Sequence, residues 1–235
     1  HRFLTAHLEE LRSDVLVLAD AGNWQVGVPG LTYSLRGLTA ADIELRGLDG
    51  PQHSGMSGGA IPDPVMAMSG LLASLVDGNG DVAFDGAFAG LAEVAPKERA
   101  PIVGFDDEPQ RFARAFGLRP GVQLVGDPGV TLHERLWLRP CLTVIGIDGH
   151  PIKGSSNQIV ARATARVSMR LGPGQEPEEV LRHLGAHVER HVPWGLECTF
   201  TPLEGAPAWQ TDPTGPAFDA ARRALHAGFG VEPVL

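Results

Sequence analysis

The sequence predicts an α+β fold, an antiparallel sheet with helices covering one face. Three observations carry this. Residues 159–171 alternate strictly: Ile159, Ala161, Ala163, Ala165, Val167, Met169 and Leu171 fall on one side, and Val160, Arg162, Thr164, Arg166, Ser168 and Arg170 on the other. Period two over that length is a half-buried antiparallel strand. Residues 177–191 place Val180, Leu181, Leu184 and Val188 at helical spacing, so one stripe faces a core. Between about residues 31 and 203 the order is strand, strand, helix, variable insert, strands, helix, strand. That order suits a ferredoxin-like sandwich.

Each element has its own signal. Residues 3–12 have helical spacing (Phe3, Leu4, His7, Leu8, Leu11). Val15, Leu16, Val17, Leu18 and Ala19 form an unbroken apolar run, the pattern of a strand buried on both faces, ending in Asp20. Residues 31–36 and 42–48 read as strands around Gly37. Residues 64–76 read as a helix, with Pro64 in its first turn and Asp63 as cap. Asp77-Gly78-Asn79-Gly80 stops it. Residues 81–120, punctuated by Gly and Pro, read as short helices and loops. Strands are expected over 130–138, 141–147 and 196–201, a helix over 216–229, and a strand from 231 onward. The sheet domain is thus placed at 31–203. Residues 1–30 and 204–235 read as pieces of a separate α/β domain.

Composition narrows the function. The chain has 235 residues, 43% hydrophobic and 20% charged, enough to bury a sizeable core. A net charge of −9 argues against nucleic acid or an anionic membrane as the main partner. No apolar run approaches the roughly 18 residues that span a bilayer, and residues 1–12 do not resemble a signal peptide. Cys141 and Cys198, far apart and outside any CxxC, read as thiols of a reducing, cytoplasmic compartment. The chain opens on His1 and closes on Val234-Leu235 inside an apolar stretch, and so reads as a fragment.

The segment Asp49-Gly50-Pro51-Gln52-His53-Ser54-Gly55-Met56-Ser57-Gly58-Gly59 concentrates the chemistry. It sets one imidazole in a glycine-rich loop between a strand and a helix. Glycines permit close approach of the backbone, and loops on rigid scaffolds carry function. Asp20, at the C-terminal end of a predicted strand, sits where α/β sheets bind ligands and is a reasonable metal ligand, or a turn Asp. Arg170 projects from the polar side of 159–171 and can fork onto a carboxylate. The Asn157 amide can donate to a substrate oxygen, or simply serve a turn. His133-Glu134 and the pair His187 and His191 read as surface or helix-end groups.

Residues 49–59 resemble the D-x-H-S-G-x-x-G-G segment of the carnosinase/aminoacylase group of dinuclear zinc metallopeptidases. Further matches lie in order. Val15 to Asp20 followed by Leu31-Thr32-Tyr33-Ser34-Leu35-Arg36-Gly37 resembles a strand ending in Asp and then one ending in Arg-Gly. Ser168-Met169-Arg170-Leu171-Gly172-Pro173 resembles Ser-x-Arg-x-x-Pro. Trp137, Arg139-Pro140 and Thr143-Val144-Ile145-Gly146 resemble the dipeptidase branch. The resemblance implies a lid (dimerisation) domain flanked by parts of an α/β zinc-peptidase domain. It implies that His53 reaches across a homodimer to stabilise an oxyanion, and that Arg170 and Asn157 hold the substrate. It makes Asp20 a ligand to one of two zinc ions, or of manganese or cobalt in their place. A small peptide or N-acyl amino acid is the implied substrate.

The family's upstream His-x-Asp, bridging Asp, Glu-Glu pair and downstream His have no counterparts in these residues: Glu9-Glu10 and Glu178-Glu179 both open or line amphipathic helices. The chain as given is therefore expected to be inactive alone. The competing expectation is a non-catalytic dimerisation or small-peptide-binding module that has lost the metals.

Overall fold

The computed structural model describes residues 2–20, 22–23, 25–94, 96, 99–100, 102 and 109–235. They divide into two compact units, residues 36–209 and residues 1–35 with 210–235.

In the larger unit, six elements make the frame: β1 (Gly37–Arg46), α1 (Pro64–Ala73), β2 (Cys141–Asp148), β3 (Arg162–Leu171), α2 (Pro177–His191) and β4 (Glu197–Pro202). The strands form one antiparallel sheet in the order β2-β3-β1-β4. This is the predicted α+β architecture, with the helices on one face. The period-two reading of β3 sets the register. Ala163, Ala165, Val167, Met169 and Leu171 are buried and stand opposite β1, whose Ala41, Ile43 and Leu45 are also buried. α1 contributes Ala67, Met68 and Leu71 to the same core, and α2 contributes Val180, Leu184 and Val188. Asp63 caps α1 through Val65 N–H, at 2.9 Å, as its position before Pro64 predicts.

The insert between α1 and β2 differs from expectation at one place. Residues 130–138 are expected as a strand, yet Leu132–Trp137 is a helix. The reason is a capping box. Thr131 accepts from Glu134 N–H, and the Glu134 carboxylate accepts from the Thr131 N–H and hydroxyl. Burial pulls the Glu134 carboxyl upward, but hydrogen bonds from Arg99 and Thr131 outweigh it and hold the group below its ordinary range. Arg135 completes the turn by donating to the carbonyls of Val125, Asp127 and Val130. Residues 95, 97–98, 101 and 103–108 of the expected helix-and-loop insert lie outside the described residues.

The smaller unit departs further. Residues 3–12 form two short helices, Arg2–Ala6 and Leu8–Leu11. Val15 to Ala19, expected as a strand buried on both faces, forms no strand and is exposed; Val17 keeps 83% of its surface. A strand buried on both faces exists only between neighbouring strands, and none pairs with this run among the described residues. The helix Pro216–Phe229 forms as predicted and ends on Gly230, whose φ of 74° is the left-handed stop. The expected strand from 231 reduces to one bridge, Val234 with Gly30.

Candidate functional site

His53 ends a two-residue strand, Gln52–His53, that pairs antiparallel with Gln158–Ile159 and sets His53 opposite Gln158. The next residue, Ser54, donates its N–H to the Asn157 carbonyl at 2.9 Å. Two sequence-predicted residues, His53 and Asn157, are thereby stitched together. Both are exposed, and the Asn157 side-chain amide has no partner among the described residues.

The turn Ser54–Ser57 fixes the imidazole. Gly55 N–H donates to His53 Nδ1 at 3.1 Å, and the Ser57 hydroxyl donates to the His53 carbonyl at 3.0 Å. A neutral imidazole accepting at Nδ1 carries its proton on Nε2. The exposed edge of the ring therefore presents an N–H donor. The glycines make this geometry possible. A Cβ on Gly55 would lie 3.0 Å from His53 Cε1, and a Cβ on Gly58 would run into the Ser54 carbonyl oxygen.

Arg170 is the last outward residue of β3, exposed, facing Leu38 on β1 and Cys141 on β2. Eight residues of extended strand, roughly 25 Å, separate it from Arg162 at the His53 end of β3. His53 and Asn157 thus lie at one end of the sheet, and Arg170 at the other.

Asp20 belongs to the smaller unit and is exposed at the end of the unpaired apolar run. Among the described residues no group of three or more His, Cys, Asp or Glu side chains could hold a metal ion. The residues present do not amount to a dinuclear metal site. A groove lined by Leu181, Gly185, Ala186, Cys198 and Phe200 contains none of the four candidate residues. His187, expected at a surface or helix end, is buried instead. Its Nε2 lies 2.9 Å from the Ser74 hydroxyl, and its ring stacks on His191 at 3.8 Å. His133 is buried against Trp137, and Glu134 serves the helix cap.

An antiparallel four-stranded sheet under two helices thus carries His53, held by the Gly55 N–H, in a Gly-rich turn. The chain belongs to the M20 peptidase dimerisation-domain family, whose sequence profile matches residues 33–196. Over 98% of its length it is 30% identical to a cysteinylglycine-S-conjugate dipeptidase of Corynebacterium striatum, of which it covers 49%. It is 27% identical over 94% of its length to a Beta-Ala-His dipeptidase of Rattus norvegicus, covering 45%. The fold is that of human carnosine dipeptidase 1, with a TM-score of 0.78 over 91% of this chain and 45% of that one, at 23% identity. The chain spans about half the length of the curated relatives it matches.

Proposed function

We propose that the whole protein is a metal-dependent dipeptidase or amidohydrolase that cleaves the amide bond of dipeptides or N-acyl amino acids. Residues 31–203 act as its lid and dimerisation domain, and residues 1–30 and 204–235 belong to a catalytic domain. The observation that carries this reading is the capped His53. A fixed Nε2–H donor in an exposed turn suits the negative charge that develops on a scissile carbonyl oxygen. Asn157, held beside it, donates to the same end of the substrate, and Arg170 forks onto its C-terminal carboxylate.

The length of β3 supports a shared site. A dipeptide extends about 7 Å, far less than the separation of His53 from Arg170 in one chain. One substrate can meet both only if His53 and Asn157 come from one protomer and Arg170 from another. The sheet offers a surface for such a homodimer. β2 is an edge strand with Val144, Ile145 and Ile147 exposed, an apolar edge of the kind that proteins pair or cover.

The metals in this reading are two zinc ions, or manganese or cobalt. Asp20 supplies one ligand and the rest of the protein the others. A cytoplasmic location accompanies it, drawn from the two isolated cysteines. No helix of the described residues is long and apolar enough to cross a membrane.

The test is hydrolysis of a dipeptide panel by the whole protein, with zinc or manganese added and with a chelator. Chelator-sensitive cleavage is expected. His53→Ala should lower kcat by about 10²–10³ without changing the dimer mass in sedimentation. Full turnover by His53→Ala removes the oxyanion role. Absence of both cleavage and metal would favour the dimerisation or peptide-binding module.

A further inference from the structure

The edge of the sheet opposite β2 is β4. Leu203 N–H donates to the Ala40 carbonyl at 2.9 Å, and the β1–β4 register runs on from there to Arg46 and Glu197. Bonded and non-bonded pairs alternate along an antiparallel ladder. Thr201, Thr199 and Glu197 therefore turn their N–H and C=O groups toward β1. Cys198 and Phe200 turn theirs outward, where no strand of the described residues pairs. Pro202 offers a carbonyl there and no N–H. α2 lies over β1 and β4. Between α2 and β4 runs a groove of about 680 Å³, with Gly185, Ala186 and Phe200 in its walls and Glu178, Arg182 and Glu189 as its charges. It has room for the side chains of a second molecule.

The groove is complementary to itself. Arg182 and Glu189 are seven residues apart on α2, two turns, so they share a stripe with Gly185 and Ala186 midway between them. A second α2 laid antiparallel about that midpoint sets Arg182 against Glu189 twice and Gly185 against Ala186. Glu178, the remaining charge, falls opposite Pro193, so no like charges meet.

The strand has its own centre at the same place. Gly185 stands over Phe200, whose ring would lie 3.3 Å from a Cβ on Gly185. Two β4 strands paired antiparallel about Phe200 use the outward groups. The two Phe200 residues exchange N–H and C=O bonds, and each Cys198 N–H meets a Pro202 carbonyl. Neighbouring strands are about 4.8 Å apart. A two-fold axis just outside β4 is then about 5 Å from an α2 that straddles β1 and β4, and the two helices run about 10 Å apart, an ordinary packing distance. Strand, helix and charges share one axis.

We propose that α2 and β4 form a face that binds a second copy of this chain, by β4–β4 pairing about Phe200, close packing at Gly185 and Ala186, and two Arg182–Glu189 ion pairs. The face lies on the edge opposite β2 and needs neither the β2 contact nor catalysis. Two-fold contacts on both edges of one sheet do not close on themselves, so dimers joined this way add on pairwise as concentration rises.

The experiment is sedimentation of the whole protein over a concentration series up to about 1 mM. The reference is Ala186→Lys, which puts two ammonium groups at the axis on an exposed helix position. The parent should exceed the mass of Ala186→Lys, and the variant should associate at least about tenfold more weakly through this face. Arg182→Glu and Glu189→Arg should each weaken association, and Arg182→Glu combined with Glu189→Arg should restore it. Hydrogen exchange at the Cys198 and Phe200 amides should slow with concentration in the parent and not in Ala186→Lys. Circular dichroism confirms that each variant is folded.

Equal masses for parent and Ala186→Lys overturn the face. Association that ignores both charge reversals, or that the double reversal does not restore, overturns the register. The mass of Ala186→Lys itself, one chain or two, reports the β2 homodimer separately, and dipeptide cleavage bears on neither comparison.

Discussion

The two faces of β3 are built from the same ten residues and do opposite things. Inward, Ala163, Ala165, Val167, Met169 and Leu171 are each no more than 4% exposed and meet α1, α2 and β1. Outward, Arg162, Arg166 and Arg170 stay in solvent, two of them tied to acids and one not. The difference teaches where stability and recognition are divided. The packed face sets register and holds the sheet. The open face can change charge without loosening the core, so a binding group placed there is free of structural duty.

Substitutions on neighbouring residues test that division most sharply. Met169→Ala removes a fully buried side chain and should cost about 2–5 kcal/mol, read as a lower urea midpoint. Arg170→Ala, one residue on, should change stability by less than about 0.5 kcal/mol. Comparable losses would mean that the open face carries structure too. Ala165→Leu probes the same face from the other side. It adds volume where Ile43 already lies opposite, and overpacking should cost about 1–3 kcal/mol.

The packed face was legible in the sequence because period two and period 3.6 are enforced wherever one side is dry. β3, α2 and the helix Pro216–Phe229 follow directly from that rule. Val15 to Ala19 misleads for the complementary reason: an apolar run specifies a strand only when other strands flank it. The helix Leu132–Trp137 misleads differently. Its apolar residues look strand-like, but Thr131-x-x-Glu134 is a capping box written in the sequence, and it decides the matter. At the candidate site, residue types and order single out His53, Asn157 and Arg170. What they do not convey is the hydrogen bond to Nδ1 that orients the ring, or the length of strand between His53 and Arg170. Those are relations in space between residues distant in the chain.

A polar group on the packed side should betray itself by pH. Desolvation first, then the neighbouring His191 and Arg190, lowers the His187 pKa below its ordinary 6.5, and Asp85 opposes them in part. The Ser74 hydroxyl donates to the Leu71 carbonyl at 2.7 Å, so it accepts from His187 Nε2–H, and the added proton must go to Nδ1. The unfolded chain takes up this proton more readily than the folded one, so stability rises with pH here. The contribution is complete above about pH 6.5 and is lost as pH falls through the lower folded value. His187→Gln should flatten that part of a Tm-versus-pH curve. An unchanged slope would mean that the imidazole is solvated in the folded protein.

The smallest effect belongs to the open face, at Asp42→Asn. Its carboxyl is held below the ordinary 3.8 by hydrogen bonds from Arg166, with the guanidinium charge adding to them. Both partners are well exposed, and pairs of that kind contribute little once salt screens them. At neutral pH and physiological salt, Tm of Asp42→Asn should fall only slightly below the parent's. The two proteins should converge in acid. The pair's contribution is present above about pH 3.8 and disappears as pH falls through the lower folded value, so the parent should lose stability there and Asp42→Asn should not. A large loss at neutral pH would show that the Asp42–Arg166 bridge holds the sheet. The outward arginines would then be structural as a set, which would weaken the case that Arg170 is left unpaired for a ligand.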